Sequence, residues 1–348
     1  MQNNKKTGHY LSGNCRGAFD TIGGMKRSIM LLSAAFLLNS ACLYAHLCND
    51  VFAQADDNLA VKVDIRDGQL RVGQTASFKV YLLNTMDRAI ATIGLEVLSA
   101  EFDAKVEPAS DWKRFPYLET TKNGGQKQYF TVTLNRKAGI PDGKYKIDLR
   151  LFNPNNKSME FKTVSLSDAG GTKQLKPARN INVDGNPLQE EWAQSILCSD
   201  FYSYEKSGGY FCNKRVDSQP RVRFSADKEN LYCLVTVADD SAPDQDVFSI
   251  YASPTMDDSP RVLKIDRING QVVSSEQGTA GITVKKSTDG KQVECRIPRN
   301  ALNISGSNSF YLNLTRTVVK SGKEQTLFWR ANPMSILNPV IYEKFMVE

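Results

Sequence analysis

Two histidines, His9 and His46, are the only imidazoles in the chain, and both fall within its first 55 residues. Those residues read as a leader, so the mature chain would hold no histidine. Ser-His-Asp and Cys-His nucleophiles, His-ligated zinc and His-ligated haem are excluded for it on that ground. Carboxylates remain. The run Asp239-Asp240-Ser-Ala-Pro-Asp244-Gln-Asp246 crowds hard oxygen donors into one stretch and could hold Ca²⁺. It lacks EF-hand spacing, and a solvated acidic loop is the simpler reading. Glycoside hydrolysis would need two carboxyl groups about 5–10 Å apart, and no motif marks such a pair. Glu294 reads as a surface or ladder residue of a strand. The expectation is a non-enzymatic protein without a cofactor.

Of seven cysteines, Cys15, Cys42 and Cys48 leave with the leader, while Cys198, Cys212, Cys233 and Cys295 stay. An even number in an exported chain reads as up to two disulfides. Cys198–Cys212 would close a polar aromatic loop, and Cys233 and Cys295 both lie in strand-like segments, so these are the favoured pairs. Buried free thiols are the alternative for the second pair. Without a CxxC spacing, zinc has no binding motif.

Met25-Lys26-Arg27 is a basic start, Ile29 to Leu38 is an apolar run, and Ala53-Gln54-Ala55 offers small residues at signal-peptidase spacing. Residues 1–55 are therefore expected to be a secretory signal peptide, with Met25 the initiator and cleavage after Ala55. The apolar run is too short to span a bilayer, being interrupted by Asn39, Ser40 and His46. Cys42 in Leu-Asn-Ser-Ala-Cys offers a lipoprotein anchor instead, but Asn39 stands where that motif wants an aliphatic residue. The expected location is secreted, periplasmic or cell-envelope. Of the formal charge of +6, the leader carries +3, and the +3 left is interspersed. That distribution has no nucleic-acid footprint.

The elements that must position any site are strands. Leu59-Ala-Val-Lys-Val-Asp-Ile, Ala76-Ser-Phe-Lys-Val-Tyr-Leu-Leu and Tyr129-Phe-Thr-Val-Thr-Leu alternate apolar with polar, as do Tyr145–Leu151 and Phe161–Leu166. Arg66-Asp-Gly, Asn123-Gly-Gly and Pro141-Asp-Gly divide them. About seven such segments over 58–166 predict an immunoglobulin-like sandwich. The turn Ile140-Pro-Asp-Gly feeding a late strand resembles bacterial Ig-like or fibronectin-like accessory domains. Residues 167–179 are small and polar and read as a linker. The fold class is all-β: two β-sandwich domains in tandem after a signal peptide, the second over 180–348.

That second half opens with Val183-Asp-Gly-Asn and Glu191-Trp192. It continues with the hairpin Val222-Arg-Phe…Asp227-Lys-Glu-Asn-Leu-Tyr232, the strand starting Gln245-Asp246, and Val293-Glu-Cys-Arg-Ile-Pro298. Phe310-Tyr-Leu-Asn313 and Asn338-Pro339 follow. In this order the elements resemble family 9 carbohydrate-binding modules over 180–348, about half the chain. The resemblance implies a non-catalytic module that binds a polysaccharide or surface glycan. Its polar contacts would fall at Asp246, Lys264 and the Asn332 segment. The family's two stacking tryptophans fall near Pro243 and Ile336, and its glutamate at Ser249, so the aromatic walls and one acid are replaced. Tyr202 and Tyr204, in the loop Phe201-Tyr-Ser-Tyr-Glu-Lys-Ser-Gly-Gly-Tyr-Phe211, are the nearest substitute stacking faces. The other reading is a scaffold for an envelope protein partner, with the sugar site lost; an accessory role in a glycoside-hydrolysing system is a third. Trp192 is expected to pack the core.

Overall fold

The computed structural model describes residues 59–348 apart from 65–69, 71–74, 85–92, 109–127, 144, 168–171, 179, 208–209, 217, 239–242, 276–277, 331–332 and 334–335. The leader, Asp239, Asp240, Asn332 and the side chain of Cys212 therefore lie outside the described residues. The described chain is all-β, and its helical turns are two short 3₁₀ segments, Arg299–Leu302 and Pro339–Ile341. Among the described residues no helix is long and apolar enough to cross a membrane.

The period-two segments become β1 (Leu59–Asp64), β2 (Thr75–Asn84), β3 (Gly94–Leu98), β4 (Phe102–Glu107), β5 (Gln128–Arg136), β6 (Lys146–Asn153) and β7 (Asn156–Ser167). They form one sheet in the order β1-β2-β5-β4 and another in the order β3-β6-β7. Every second residue of β2 (Ala76, Phe78, Val80, Leu82) faces inward, where it shares a core with Phe130 and Val132 of β5 and with Ile147, Leu149 and Leu151 of β6. Alternation gives each sheet one apolar face, and the two faces bury each other.

The rest of the chain supplies β8 (Lys173–Leu175), β9 (Ile196–Cys198), β10 (Tyr202–Ser207), β11 (Tyr210–Arg215), β12 (Arg221–Ala226), β13 (Asn230–Thr236) and β14 (Gln245–Ser253). After these come β15 (Arg261–Asp266), β16 (Gln271–Ser275), β17 (Thr283–Lys286), β18 (Gln292–Pro298), β19 (Ser309–Lys320), β20 (Lys323–Phe328) and β21 (Glu343–Val347). The larger sheet runs β11-β10-β20-β19-β14-β15-β16, with β21 on β19 and β8 parallel to β21. The smaller runs β17-β18-β13-β12-β9. Phe224, Cys233, Cys295 and Ile297 of the smaller sheet pack against Phe248, Ile250, Phe310, Leu314 and Phe345 of the larger in a second core.

Two expectations change here. The predicted linker is partly folded: Ser167 ends β7, while β8 joins the larger sheet and places Leu175 in the second core at 0% exposure. One leucine between polar neighbours is enough, because a neighbouring strand supplies the hydrogen bonds. The aromatic loop 201–211 is likewise a hairpin of β10 and β11, with Tyr202 opposite Arg215.

The described residues fall into one compact unit. On the outer face of β2, Tyr81 and Leu83 pack with Met256, Tyr311, Val340 and Tyr342 of the C-terminal half. Tyr81 also donates its hydroxyl to Asp257 Oδ2 at 2.9 Å. Tyr81→Phe should keep the ring and lose that charge-assisted bond, lowering stability by about 1 kcal/mol because Asp257 can turn to water. Chemical denaturation of both proteins measures the difference; an unchanged midpoint would show that the bond contributes nothing.

Candidate functional site

Asp246 is not a ligand contact. Alternation along β14 puts it on the inward face with Phe248, Ile250 and Ala252, at 0% exposure. Arg316 grips it with Nε on Oδ1 at 3.0 Å and Nη2 on Oδ2 at 2.8 Å, while Arg267 Nε reaches Oδ2 at 2.5 Å. Arg267 also donates to the Gly290 carbonyl, and the Arg316 guanidinium lies 5.6 Å from the Phe248 ring centre. The carboxylate is the internal counter-ion of two buried arginines. The sugar contact expected there is thus withdrawn, and so is Asp246 as a Ca²⁺ donor. Among the described residues no three carboxylates, cysteines or histidines come together as a metal site.

Lys264 is placed differently. It sits on the outer, exposed face of β15, directly opposite Ser249 on β14. Residues opposite one another in adjacent strands share a face, and register extends that row across the sheet. Tyr202 pairs with Phe328, Phe328 with Thr315, Thr315 with Ser249, Ser249 with Lys264 and Lys264 with Ser274. Lys264 and Tyr202 therefore lie on one face but four strand spacings apart, about 19 Å. One small ligand cannot touch both. Tyr204 is half-buried with its ring 5.5 Å from that of Phe328, edge to face, and burial raises its phenol pKa. Tyr204 thus packs against the sheet instead of presenting an open stacking face.

The middle of the row is covered. Ser249, Thr315 and Phe328 are buried. The chain after β20 is tied to this face where Arg330 N donates to Asn313 Oδ1 at 3.1 Å. Asn338, fully buried, accepts from Val340 N at 3.1 Å and so caps the turn Pro339–Ile341, while the Tyr342 hydroxyl donates to the Ile336 carbonyl at 2.5 Å. Beside this segment lies a groove of about 400 Å³, lined by Tyr251, Val262, Lys264, Ser274, Ser275 and Leu337. An aromatic ring, two aliphatic side chains, an ammonium and two hydroxyls converge there. Tyr251 and the two serines were missed in the sequence. The available signal was parity, since Tyr251 is two residues from Ser249 and so shares its face.

Trp192 is buried, but outside the main core. It packs with Tyr232 and Leu234 behind the smaller sheet, where Ile181 and Val183 close over it. Its indole N–H donates to Glu294 Oε1 at 3.2 Å, and Gly185 N donates to Glu294 Oε2 at 2.8 Å. Glu294 is fully buried, not a surface residue, and burial raises its pKa against the pull of both donors. The Asp184-Gly185 turn is held by that carboxylate. Gly185 has φ +91°, and a Cβ there would stand 2.7 Å from the Lys286 carbonyl oxygen, so only glycine fits.

Cys198, Cys233 and Cys295 are free, buried thiols. The expected Cys198–Cys212 bridge is absent because the two residues belong to different sheets, with Cys198 turned into the core from β9 and Cys212 on β11. Cys233 and Cys295 are unbridged as well, although they lie directly opposite on β13 and β18. Burial pushes the Cys198 thiol up to about 12 and raises the other two. A thiol needs its thiolate to react. All three should therefore resist iodoacetamide in the folded protein and label fully in denaturant; rapid native labelling of Cys198 would contradict its placement.

No family model and no curated protein matches the chain.

Proposed function

We propose that the protein is an exported, non-catalytic glycan-binding protein whose ligand lies in the groove of Tyr251, Lys264, Ser274 and Leu337. The observation that carries this reading is the composition of that groove. A tyrosine ring beside Val262 and Leu337 suits the apolar C–H face of a sugar, while the Lys264 ammonium and two serine hydroxyls suit its oxygens. The resemblance of 180–348 to family 9 carbohydrate-binding modules supports the same reading, with Lys264 at a polar contact position. With one ring instead of two, binding should be weak, because hydroxyl contacts largely replace contacts with water.

A protein-interaction scaffold at the envelope is the second reading, and β16 favours it. This edge strand borders the groove, and Val273 on it is 54% exposed. An unpaired edge with an apolar side chain is a template for an added strand. A glycan array on the purified protein, followed by calorimetry with Tyr251→Ala and Lys264→Ala, separates the two. Binding lost in both variants supports the groove; no binding to any saccharide favours the scaffold.

A further inference from the structure

The N-terminal sheets contribute nothing to the lining of the groove, yet they touch what holds that lining in place. Parity along β2 creates the contact. Phe78, Val80 and Leu82 fill the N-terminal core, so Tyr81 and Leu83 point out of it. Leu83 is 0% exposed on that outer face, and its cover comes from the cluster of Met256, Tyr311, Val340 and Tyr342. The turn Pro339–Ile341 lies against β1 and β2 accordingly. Tyr251, the aromatic wall of the groove, packs against the same cluster.

Leu337, the opposite wall, is reached through the backbone. It lies in a turn, where no strand ladder fixes it. Its two chain neighbours are pinned instead. The Ile336 carbonyl accepts from the Tyr342 hydroxyl at 2.5 Å, and fully buried Asn338 accepts from Val340 N at 3.1 Å. Tyr342 and Val340 are the cluster members that meet Leu83 and Tyr81. Ordering a segment outside regular structure costs conformational entropy, which buried apolar contact must offset. Part of that contact is supplied by β2.

We propose that the N-terminal sheets brace the binding groove, with Leu83, Val340 and Tyr342 as positioning residues for Leu337 and the Tyr251 ring. The inference rests on the glycan-binding reading and gives the N-terminal sheets a part in it. Without the brace the two walls lose their fixed separation. A groove that keeps its shape in about a tenth of the molecules binds about tenfold more weakly.

The test compares Leu83→Ala with Leu82→Ala in the full chain. Both truncate a leucine that is 0% exposed, but Leu82 faces the N-terminal core and Leu83 the turn. Side-chain NMR of the ligand-free proteins should show the Tyr251 and Leu337 signals shifted and broadened in Leu83→Ala and unmoved in Leu82→Ala. Tyr342→Phe, a milder change that keeps the ring and loses the bond to Ile336, should shift Leu337 in a folded protein. Unmoved groove signals in Leu83→Ala and Tyr342→Phe, or equal changes in Leu82→Ala, overturn the proposal. Affinity electrophoresis through soluble xylan and hydroxyethylcellulose reads binding. The apparent affinity should fall about tenfold in Leu83→Ala and persist in Leu82→Ala; an equal loss in both overturns the brace. A wild type retarded by neither polymer counts against the glycan reading, while the NMR comparison still decides the brace.

Discussion

Asp246→Ala should destabilise the protein by about 3–5 kcal/mol, the usual effect of removing one partner from a buried ion pair. The substitution leaves Arg316 and Arg267, 2% and 7% exposed, without their shared counter-ion. Neither guanidinium can release its proton, so each must stay charged at its buried position after losing that carboxylate, or tear open the sheet. Asp246→Asn keeps the shape but not the charge and should fall between the two. Replacing Asp246, Arg267 and Arg316 together by leucine and methionine should cost far less, because the penalty belongs to the unpaired charge. Urea titrations of the three proteins measure it. A near-wild-type midpoint for Asp246→Ala would mean that water reaches the arginines.

Glu294→Ala carries the second-largest expected effect, about 2–4 kcal/mol, since it orphans the Trp192 indole N–H and the Gly185 amide behind the smaller sheet. Glu294→Gln retains one acceptor and should cost less. The pH dependence has a definite sign. Burial raises the folded pKa of Glu294 above its unfolded value, so the folded state binds the proton more tightly. Its contribution to stability is fully present below the unfolded carboxylate value of about 4.3 and is lost as pH rises through the raised folded value. Glu294→Gln should flatten that part of the curve. Paired denaturation series from pH 4 upward check it, and parallel curves for the two proteins would refute the assignment.

The strands were legible from alternation, because one buried face per strand imposes a period of two regardless of neighbours. Which strands would be neighbours was not. Tyr202 and Lys264 share a face only through the order β10-β20-β19-β14-β15, set by pairings between residues far apart in sequence. Asp246 was misassigned although its parity with Phe248 and Ile250 marks it as inward; a charged residue reads as exposed until its arginine partners are known, and Arg316 lies 70 positions away. Glu294 was misjudged likewise, since the strap 181–195 that covers it precedes the strand by about a hundred residues. The disulfide expectation failed because Cys198 and Cys212 are close in sequence but belong to opposite sheets. Leu175 shows the smallest such gap: a three-residue strand has too little pattern to distinguish it from a linker.

The proposed saccharide site lies on the outer face of the larger sheet beside the 336–342 segment. Backbone and side-chain chemical-shift mapping of the labelled protein with an array-selected oligosaccharide tests it most directly. Saturable shifts centred on Tyr251, Val262, Lys264, Ser274 and Leu337 are expected, with little change at Trp192 or Asp246. Saturable shifts confined to the β10–β11 hairpin or the smaller sheet, with the groove silent, would contradict it.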